Sequence, residues 1–303
     1  MKRSIQSKKE AWLHAVRLRT LPLALASIFA GSFLAQWQGS FRWEVLILAS
    51  FTTIFLQILS NLANDYGDSI HGADSSARTG PIRAVQSGVI SLQEMKRAMI
   101  VMGALSLLSG ILLIYISLPD WKYFLGFLAL GLAAIWAAIR YTSGKNPYGY
   151  AGFGDIFVFL FFGIVGVSGT YFLHALEAKP FILLIALSLG CFSTAVLNIN
   201  NIRDIDSDRL AGKLSIPVRI GRTNAIHYHW TLMVLGNVSL GFFALLNQTY
   251  FPLLAFFMLP WMVSISQGIQ SASGALEIDP YLKKMALSTL IWTLLFGVGL
   301  LLV

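Results

Sequence analysis

The sequence predicts an all-α integral membrane protein of nine transmembrane helices, and three observations carry that reading. Of 303 residues, 56% are hydrophobic and only 12% are charged, and the mean hydropathy is +0.69; a soluble globular chain carries about 25% charged residues. Apolar segments of roughly 20 residues recur along the chain, the length that crosses about 30 Å of hydrocarbon. Positive charge, finally, is distributed by side of the membrane. Runs this continuously apolar satisfy their backbone groups as helices and not as the alternating strands of a barrel.

Taken in order, the first segment, 19–38, follows the basic lead MKRSIQSKKEAWLHAVRLRT. That lead is too long and polar for a removable signal peptide and has no small-residue cleavage site. The second, 44–63, runs through EVLILASFTTIFLQILS straight into NLANDYGDSIHGAD. The third and fourth, 97–117 and 121–140, are joined only by LPDW, and the fifth, 155–174, opens with GFGDIF. The sixth, 180–200, contains FILLIALSLGCFSTAVL and runs into NINNIRDIDSDRLAGK. Segments 225–247, 251–270 and 285–303 complete the set. The single cysteine, Cys191, lies inside the sixth, so no intrachain disulfide forms and the thiol packs as a small hydrophobe.

With the amino terminus inside, all 22 Lys and Arg except Arg42, Lys122 and Lys179 fall on the cytoplasmic side, as the positive-inside rule requires, and the carboxyl terminus lies outside. Trp12, Trp37, Trp43, Trp121, Tyr171, Tyr250 and Trp261 fall near segment ends, where interfacial aromatics belong. The net charge of +8 is therefore topological and speaks against a nucleic-acid partner. No soluble linker or low-complexity stretch interrupts the chain, which reads as one domain, 1–303, in the inner (plasma) membrane.

Even-numbered segments run inward, so the second and sixth deliver their aspartates to the same cytoplasmic face. Both clusters open with Asn-x-x-Asn, Asn61/Asn64 and Asn198/Asn201, four segments apart, which suggests a duplicated four-helix unit. Residues at i, i+3, i+4 and i+7 share a helix face, so Asn61, Asn64, Asp65 and Asp68 project together. Asn201, Asp204 and Asp208 do the same, while Asp206 points elsewhere. Crowded carboxylates repel one another and oppose the dipole at a helix carboxyl end. Arginines offer one form of compensation; oxygen ligands without a His or Cys set favour a hard cation. Mg²⁺ is the expected one, held by one or two carboxylates together with substrate phosphates. The loops add Arg78, Arg83, Arg140, Lys145, Arg203, Arg209, Lys213, Arg219 and Arg222. Carboxylates, metal and cations together describe a diphosphate pocket.

In RLRTLP, NLANDYGDSIHGAD, GPIRAVQSGVIS, RYTSGKNPYGYAGFGDIFVFLFFG and NNIRDIDSDRLAGKLSIPVRIGR, the chain resembles the UbiA-type intramembrane prenyltransferases over nearly its whole length. Within that family it is most similar to the 1,4-dihydroxy-2-naphthoate polyprenyltransferase group of menaquinone biosynthesis. The resemblance implies a UbiA-type bundle in which a polyprenyl chain passes from polyprenyl diphosphate to 1,4-dihydroxy-2-naphthoate, with decarboxylation, to give demethylmenaquinone. Asn64, Asp65 and Asp68 match the first motif, with Asp74 as its outlying carboxylate six residues on, beyond the usual four. Asn201, Asp204 and Asp208 match the second. Tyr141 and Lys145 match a Tyr-x-x-x-Lys element whose lysine faces the diphosphate.

On this reading Asp65, Asp68, Asp204 and Asp208 hold Mg²⁺, and Lys145, Lys213, Arg83 and Arg219 meet phosphate or carboxylate. Asn61, Asn64, Asn201 and Tyr141 complete the substrate contacts. His71 lies within the first motif and Asp155 at the start of the fifth segment, beside the site, and His227 and His229 belong to the interface. Two alternatives stay open: the same chemistry on 4-hydroxybenzoate, homogentisate or chlorophyllide, and a parallel-repeat transporter with the acidic clusters as its cation path.

Overall fold

The computed structural model describes residues 7–71 and 83–303. Among them nine helices are long and apolar enough to cross a membrane: α1 Lys8–Trp37, α2 Trp43–Ile70, α3 Leu92–Ser117, α4 Trp121–Arg140, α5 Gly154–Ala175, α6 Ile182–Arg203, α7 Ile216–Leu246, α8 Phe251–Ser271 and α9 Ala275–Leu301. The chain is a multi-pass membrane protein with an all-α fold, and the described residues contain no strand.

Local chemistry sets the ends of these helices. Ser91 and Glu94 close a capping box at the start of α3, each side chain accepting the other's backbone N–H, at 3.2 and 2.9 Å. Asp120 caps α4 by accepting from Lys122 N at 2.9 Å. Helix α1 is broken: Lys8–Val16 ends at Arg17, whose φ of 52° is left-handed, and a tight turn over Leu18–Thr20 leads into Leu21–Trp37. In α5 the residues Phe159–Gly169 form wide π-helical turns with i→i+5 bonding.

Helix α6 is the axis of the bundle and is nearly all buried, packed by α7, α5, α9 and α1. Helices α5 and α6 meet backbone to backbone: a Cβ on Gly163 would lie 2.5 Å from the carbonyl oxygen of Ala186. A chain of edge-to-face and stacked rings, Phe192, Trp292, Phe296 and Phe243, fills the space between α6, α7 and α9. The Trp292 indole donates to Asn237 Oδ1 at 3.3 Å, so its buried N–H is satisfied. Helix α4 lies at the periphery, its apolar side chains largely exposed as lipid-facing residues are.

At the end of the bundle away from the aspartates, buried His174 joins Ser32 Oγ at 3.0 Å and accepts the Arg42 backbone N–H at 3.1 Å. The Arg42 guanidinium then donates to the carbonyls of Ile116 and Ser117 at the end of α3. This end is closed by structure and leaves the aspartate end as the site.

Candidate functional site

The first motif occupies the last turns of α2. Asn61, Asp65 and Asp68 are buried there and Asn64 is half-buried, on the face that their spacing predicts. Asn61 donates to Val16 O at 2.8 Å and to Thr20 Oγ1 at 3.0 Å, which ties the break in α1 to the motif. Asp65 accepts from Arg17 Nη2 at 2.9 Å and from the Ala84 backbone N–H at 3.3 Å. Asp68 accepts from Tyr150 OH at 2.9 Å and pairs with Arg83, whose Nη1 also reaches Asn64 O at 3.1 Å.

Gly67 lets this arrangement assemble. A Cβ there would lie 2.5 Å from the Thr142 carbonyl oxygen. Its absence allows the segment after α4 to rest on α2, where Thr142 Oγ1 donates to Ala63 O at 2.9 Å.

The second motif departs from the single helical strip that its spacing predicts. Helix α6 ends at Arg203, Asp204 leaves helical geometry with φ −97° and ψ 11°, and Asp208 sits on a separate short helix, Ile205–Leu210. The break still buries Asp204 and Asp208 and leaves Asp206 exposed. Arg203 donates to both oxygens of Asp204 at 2.8 and 2.6 Å and pairs with Asp279 from α9. Arg19 Nη1 also holds Asp279, at 3.1 and 3.0 Å from its two oxygens. Lys213 Nζ lies 3.3 Å from Asp208 Oδ1.

The expected repeat of Asn-x-x-Asn is not reproduced in contacts, since Asn198 donates to Ala225 O on α7 at 2.9 Å and so serves packing. Asn201 is buried, with its Oδ1 lacking any hydrogen-bond partner.

A cavity of about 370 Å³ runs down from this face. Its head is formed by Arg17, Asn61, Asn64, Arg83, Tyr141 and Lys213. Phe127, Phe157, Phe161, Phe162 and Ile114 wall it down to Leu173, on the far side of the bundle. The four motif aspartates stand behind the cations and do not line it.

Electrostatics tie the two motifs together. Burial pulls the Lys213 ammonium down, but Asp208, Tyr141, Asp68 and Asp204 outweigh it and raise the group above the ordinary lysine value. Burial pushes the Asp208 carboxyl above the usual carboxylate range; Lys213 opposes this, and Asp204 and Asp68 push the same way. Burial holds the Tyr141 hydroxyl up at about 12, so it stays protonated.

Several expectations need correction. Lys145 is exposed and does not line this cavity: the chain leaves α4 after Arg140 and turns at Gly144, φ 99°, so Tyr141 and Lys145 do not share a helix face. Arg219 is also turned away from the carboxylates, donating to Leu214 O at 2.9 Å and Ala151 O at 2.7 Å. With Leu214 N donating to Tyr150 O at 2.8 Å, it clasps the loop after α4 to the loop before α7. His229 is buried within α7. Buried Asp155 keeps an unpartnered Oδ1, and His71 meets Gly144 O at 3.0 Å. Asp74 and Arg78 lie outside the described residues. Arg17, Tyr150 and Asp279 were missed because each is a single residue brought in by folding.

Among the described residues, no group of three or more His, Cys, Asp or Glu side chains is close enough to hold a bare metal ion. Each motif aspartate has instead a cation of the chain as its partner, the arginine compensation left open above. The donor set nonetheless fits Mg²⁺ brought with a diphosphate: every donor is oxygen, Asn201 Oδ1 is buried and unpartnered, and Asp208 is raised by burial, with Asp204 and Asp68 adding to it.

The UbiA prenyltransferase family model matches residues 24–289, and the chain belongs to that family. It is 44% identical to a 1,4-dihydroxy-2-naphthoate octaprenyltransferase of Escherichia coli (strain K12), over 97% of this chain and 96% of that protein. It is 41% identical to one of Haemophilus influenzae (strain ATCC 51907 / DSM 11121 / KW20 / Rd), over 99% of this chain and 98% of the relative. Its fold resembles an apo UbiA homolog from Aeropyrum pernix K1 (TM-score 0.68, 17% identity, 94% of this chain and 98% of that one). It also resembles a UbiA homolog from Archaeoglobus fulgidus bound to GPP and Mg²⁺ (TM-score 0.65, 16% identity, 97% and 100%).

Proposed function

We propose that the protein transfers a polyprenyl chain from polyprenyl diphosphate to 1,4-dihydroxy-2-naphthoate, releasing CO₂ and diphosphate and giving demethylmenaquinone in its quinol form. The observation that carries this reading is the long apolar cavity headed by the cations of two aspartate motifs, in a chain 44% identical end to end to a 1,4-dihydroxy-2-naphthoate octaprenyltransferase.

The prenyl chain lies in the cavity and its diphosphate meets Arg17, Arg83 and Lys213, which exchange their aspartate partners for phosphate oxygens. Asp65, Asp68 and Asp208, relieved of those cations, would hold Mg²⁺ together with Asp204, which keeps Arg203 beside it, and with Asn61, Asn64 and Asn201 as neighbouring oxygen donors. Bound Mg²⁺ supplies charge neutralisation as the allylic C–O bond breaks. Lys213 and Arg83, already oriented in a buried site, stabilise the charge growing on the leaving oxygens without reorganisation. Protonated Tyr141 and the rings of Phe157, Phe161 and Phe162 shield the allylic cation from water and attract it through their faces. The acceptor's ring carbon forms the new C–C bond, and the electron pair of the broken C–CO₂ bond restores its aromaticity.

The positive-inside distribution supports a cytoplasmic motif face and amino terminus, an outer carboxyl terminus and residence in the inner (plasma) membrane. The test is incubation of membranes containing the protein with polyprenyl diphosphate, Mg²⁺ and each labelled acceptor in turn. Transfer to 1,4-dihydroxy-2-naphthoate is expected, and transfer only to 4-hydroxybenzoate would overturn the acceptor.

A further inference from the structure

A second cavity, of about 450 Å³, opens on the motif face beside the first. Arg17, Arg83 and Asn200 line both, so the two are separated by single side chains. Its character is different. Four arginines, Arg17, Arg19, Arg83 and Arg203, line it with three carboxylates, Glu10, Asp65 and Asp279, and Arg83 and Arg203 also pair with Asp68 and Asp204 behind the wall, so the open cationic edge in the chamber is that of Arg19. Leu13 and Leu18 add an apolar rim, and at 50% and 53% exposure they are large hydrophobic side chains in contact with little of the protein.

The backbone is bent to make this chamber. Arg17 adopts φ 52°, a conformation that is strained for a non-glycine residue and persists where the surroundings impose it. The break places Leu18 and Arg19 on the chamber wall directly after Arg17, instead of continuing the helix past it. Arg19 spends only Nη1 on Asp279, leaving Nε and Nη2 without a partner at a side chain 33% exposed. A guanidinium edge with open donors matches a carboxylate bidentately. Exposed leucines beside it match the face of a flat ring.

We propose that this second chamber binds the acceptor as a small planar aromatic carboxylate, with Arg19 on its carboxylate and Leu13 and Leu18 on its ring. The inference rests on the prenyl transfer proposed above and adds where the acceptor is held. Two chambers sharing a wall keep a water-soluble anion and a membrane-soluble chain apart until their reacting carbons meet beside Arg17 and Arg83. Arg19 borders the second chamber and not the first, and its link to the motifs runs only through Asp279 and Arg203, so an effect on the acceptor KM with an unchanged diphosphate KM separates the two roles.

The experiment uses the purified full-length protein with saturating polyprenyl diphosphate and Mg²⁺. Arg19→Gln raises KM for 1,4-dihydroxy-2-naphthoate about tenfold, the loss expected of one charged hydrogen-bonded contact, while KM for polyprenyl diphosphate stays within about twofold. The unreactive 2-naphthoate competes with the acceptor and its inhibition constant rises in parallel; neutral 2-naphthalenemethanol competes equally with both proteins. Leu18→Glu, at an exposed position that folding tolerates, raises the acceptor KM in the same way. Unchanged acceptor KM, or equal weakening of the acid and the alcohol, overturns the proposal. So does a rise in the inhibition constant of inorganic diphosphate in place of the acceptor KM, since it would make the chamber a leaving-group exit. If the wild type does not prenylate this acceptor, the proposed function falls separately. Thermal stabilisation by 2-naphthoate, lost in Arg19→Gln, still reads the chamber, and its absence from the wild type overturns the site.

Discussion

Lys213 and Asp208 form a buried ion pair, Nζ to Oδ2 3.2 Å, in which the lysine faces the apolar cavity and the aspartate does not. The pair is thus a ready exchange point, one partner for phosphate and the other for metal. Lys213→Ala strands a buried carboxylate, which costs about 3–5 kcal/mol when one member of such a pair is removed. Both a lower thermal midpoint and a large loss of kcat/KM are expected, and Lys213→Arg should recover much of the midpoint. Calorimetry beside a turnover assay checks this.

Asp65→Asn and Asp208→Asn keep size and polarity and remove the charge. Each should lower turnover on the order of 10³-fold, several kcal/mol of transition-state stabilisation at ~1.4 kcal/mol per decade. Exposed Asp206 predicts only a small loss for Asp206→Asn. Prenyl transfer across a Mg²⁺ titration, with thermal midpoints measured alongside, separates the three. Equal loss in all of them would refute the assignment.

Asp208 is held above the ordinary carboxylate range, chiefly by burial. Its proton therefore competes with metal at a higher pH than for a free aspartate, and acidification should raise the Mg²⁺ concentration for half-maximal rate. The sign is fixed: below its pKa the group is neutral and binds metal poorly. Titrating Mg²⁺ at several pH values checks this, and a half-saturation that is flat or falls with acidity would contradict it.

Gly67→Ala should displace the Thr142 carbonyl that rests on α2, moving the Tyr141 side of the cavity head. Lower thermal stability and weaker prenyl diphosphate binding are the expected outcomes, measured by melting and by KM. Ala is the better helix former, so a gain in stability would show that the contact is not limiting.

Lys145→Ala should leave turnover within about twofold, as exposed positions usually do. Arg219→Ala removes the clasp between two loops and should increase proteolysis after α4 with KM values little changed. A large KM effect from Lys145 would mean that the loop after α4 closes over the diphosphate.

Helix number, the lipid-facing periphery and the shared face of Asn61, Asn64, Asp65 and Asp68 follow from hydropathy and from the 3.6-residue period, both of which are local. The break at Asp204 was not legible, because Asn201, Asp204 and Asp208 keep helical spacing across it. Arg219 and Lys145 read as phosphate ligands because charge is visible in a sequence and direction is not. Tyr150 and Asp279 reach the site from 82 and 76 residues away from their partners Asp68 and Arg203, and no pattern within either segment announces that.

The π-helical turns of α5 have a further consequence. The residues it gives the cavity come as neighbouring pairs, Phe157/Val158, Phe161/Phe162, Val165/Gly166 and Gly169/Thr170, with Leu173 last, and the pairs recur every fourth position. On an ordinary α-helix such a stripe would rotate about 40° for every four residues and leave the cavity before its floor. Looser winding holds one face in phase for the whole depth, so length of chain is exchanged for constancy of direction. Deleting a single residue between Phe159 and Gly169 would restore ordinary winding and swing the floor away from the cavity, shortening the prenyl chain it can hold without altering a single atom that touches diphosphate.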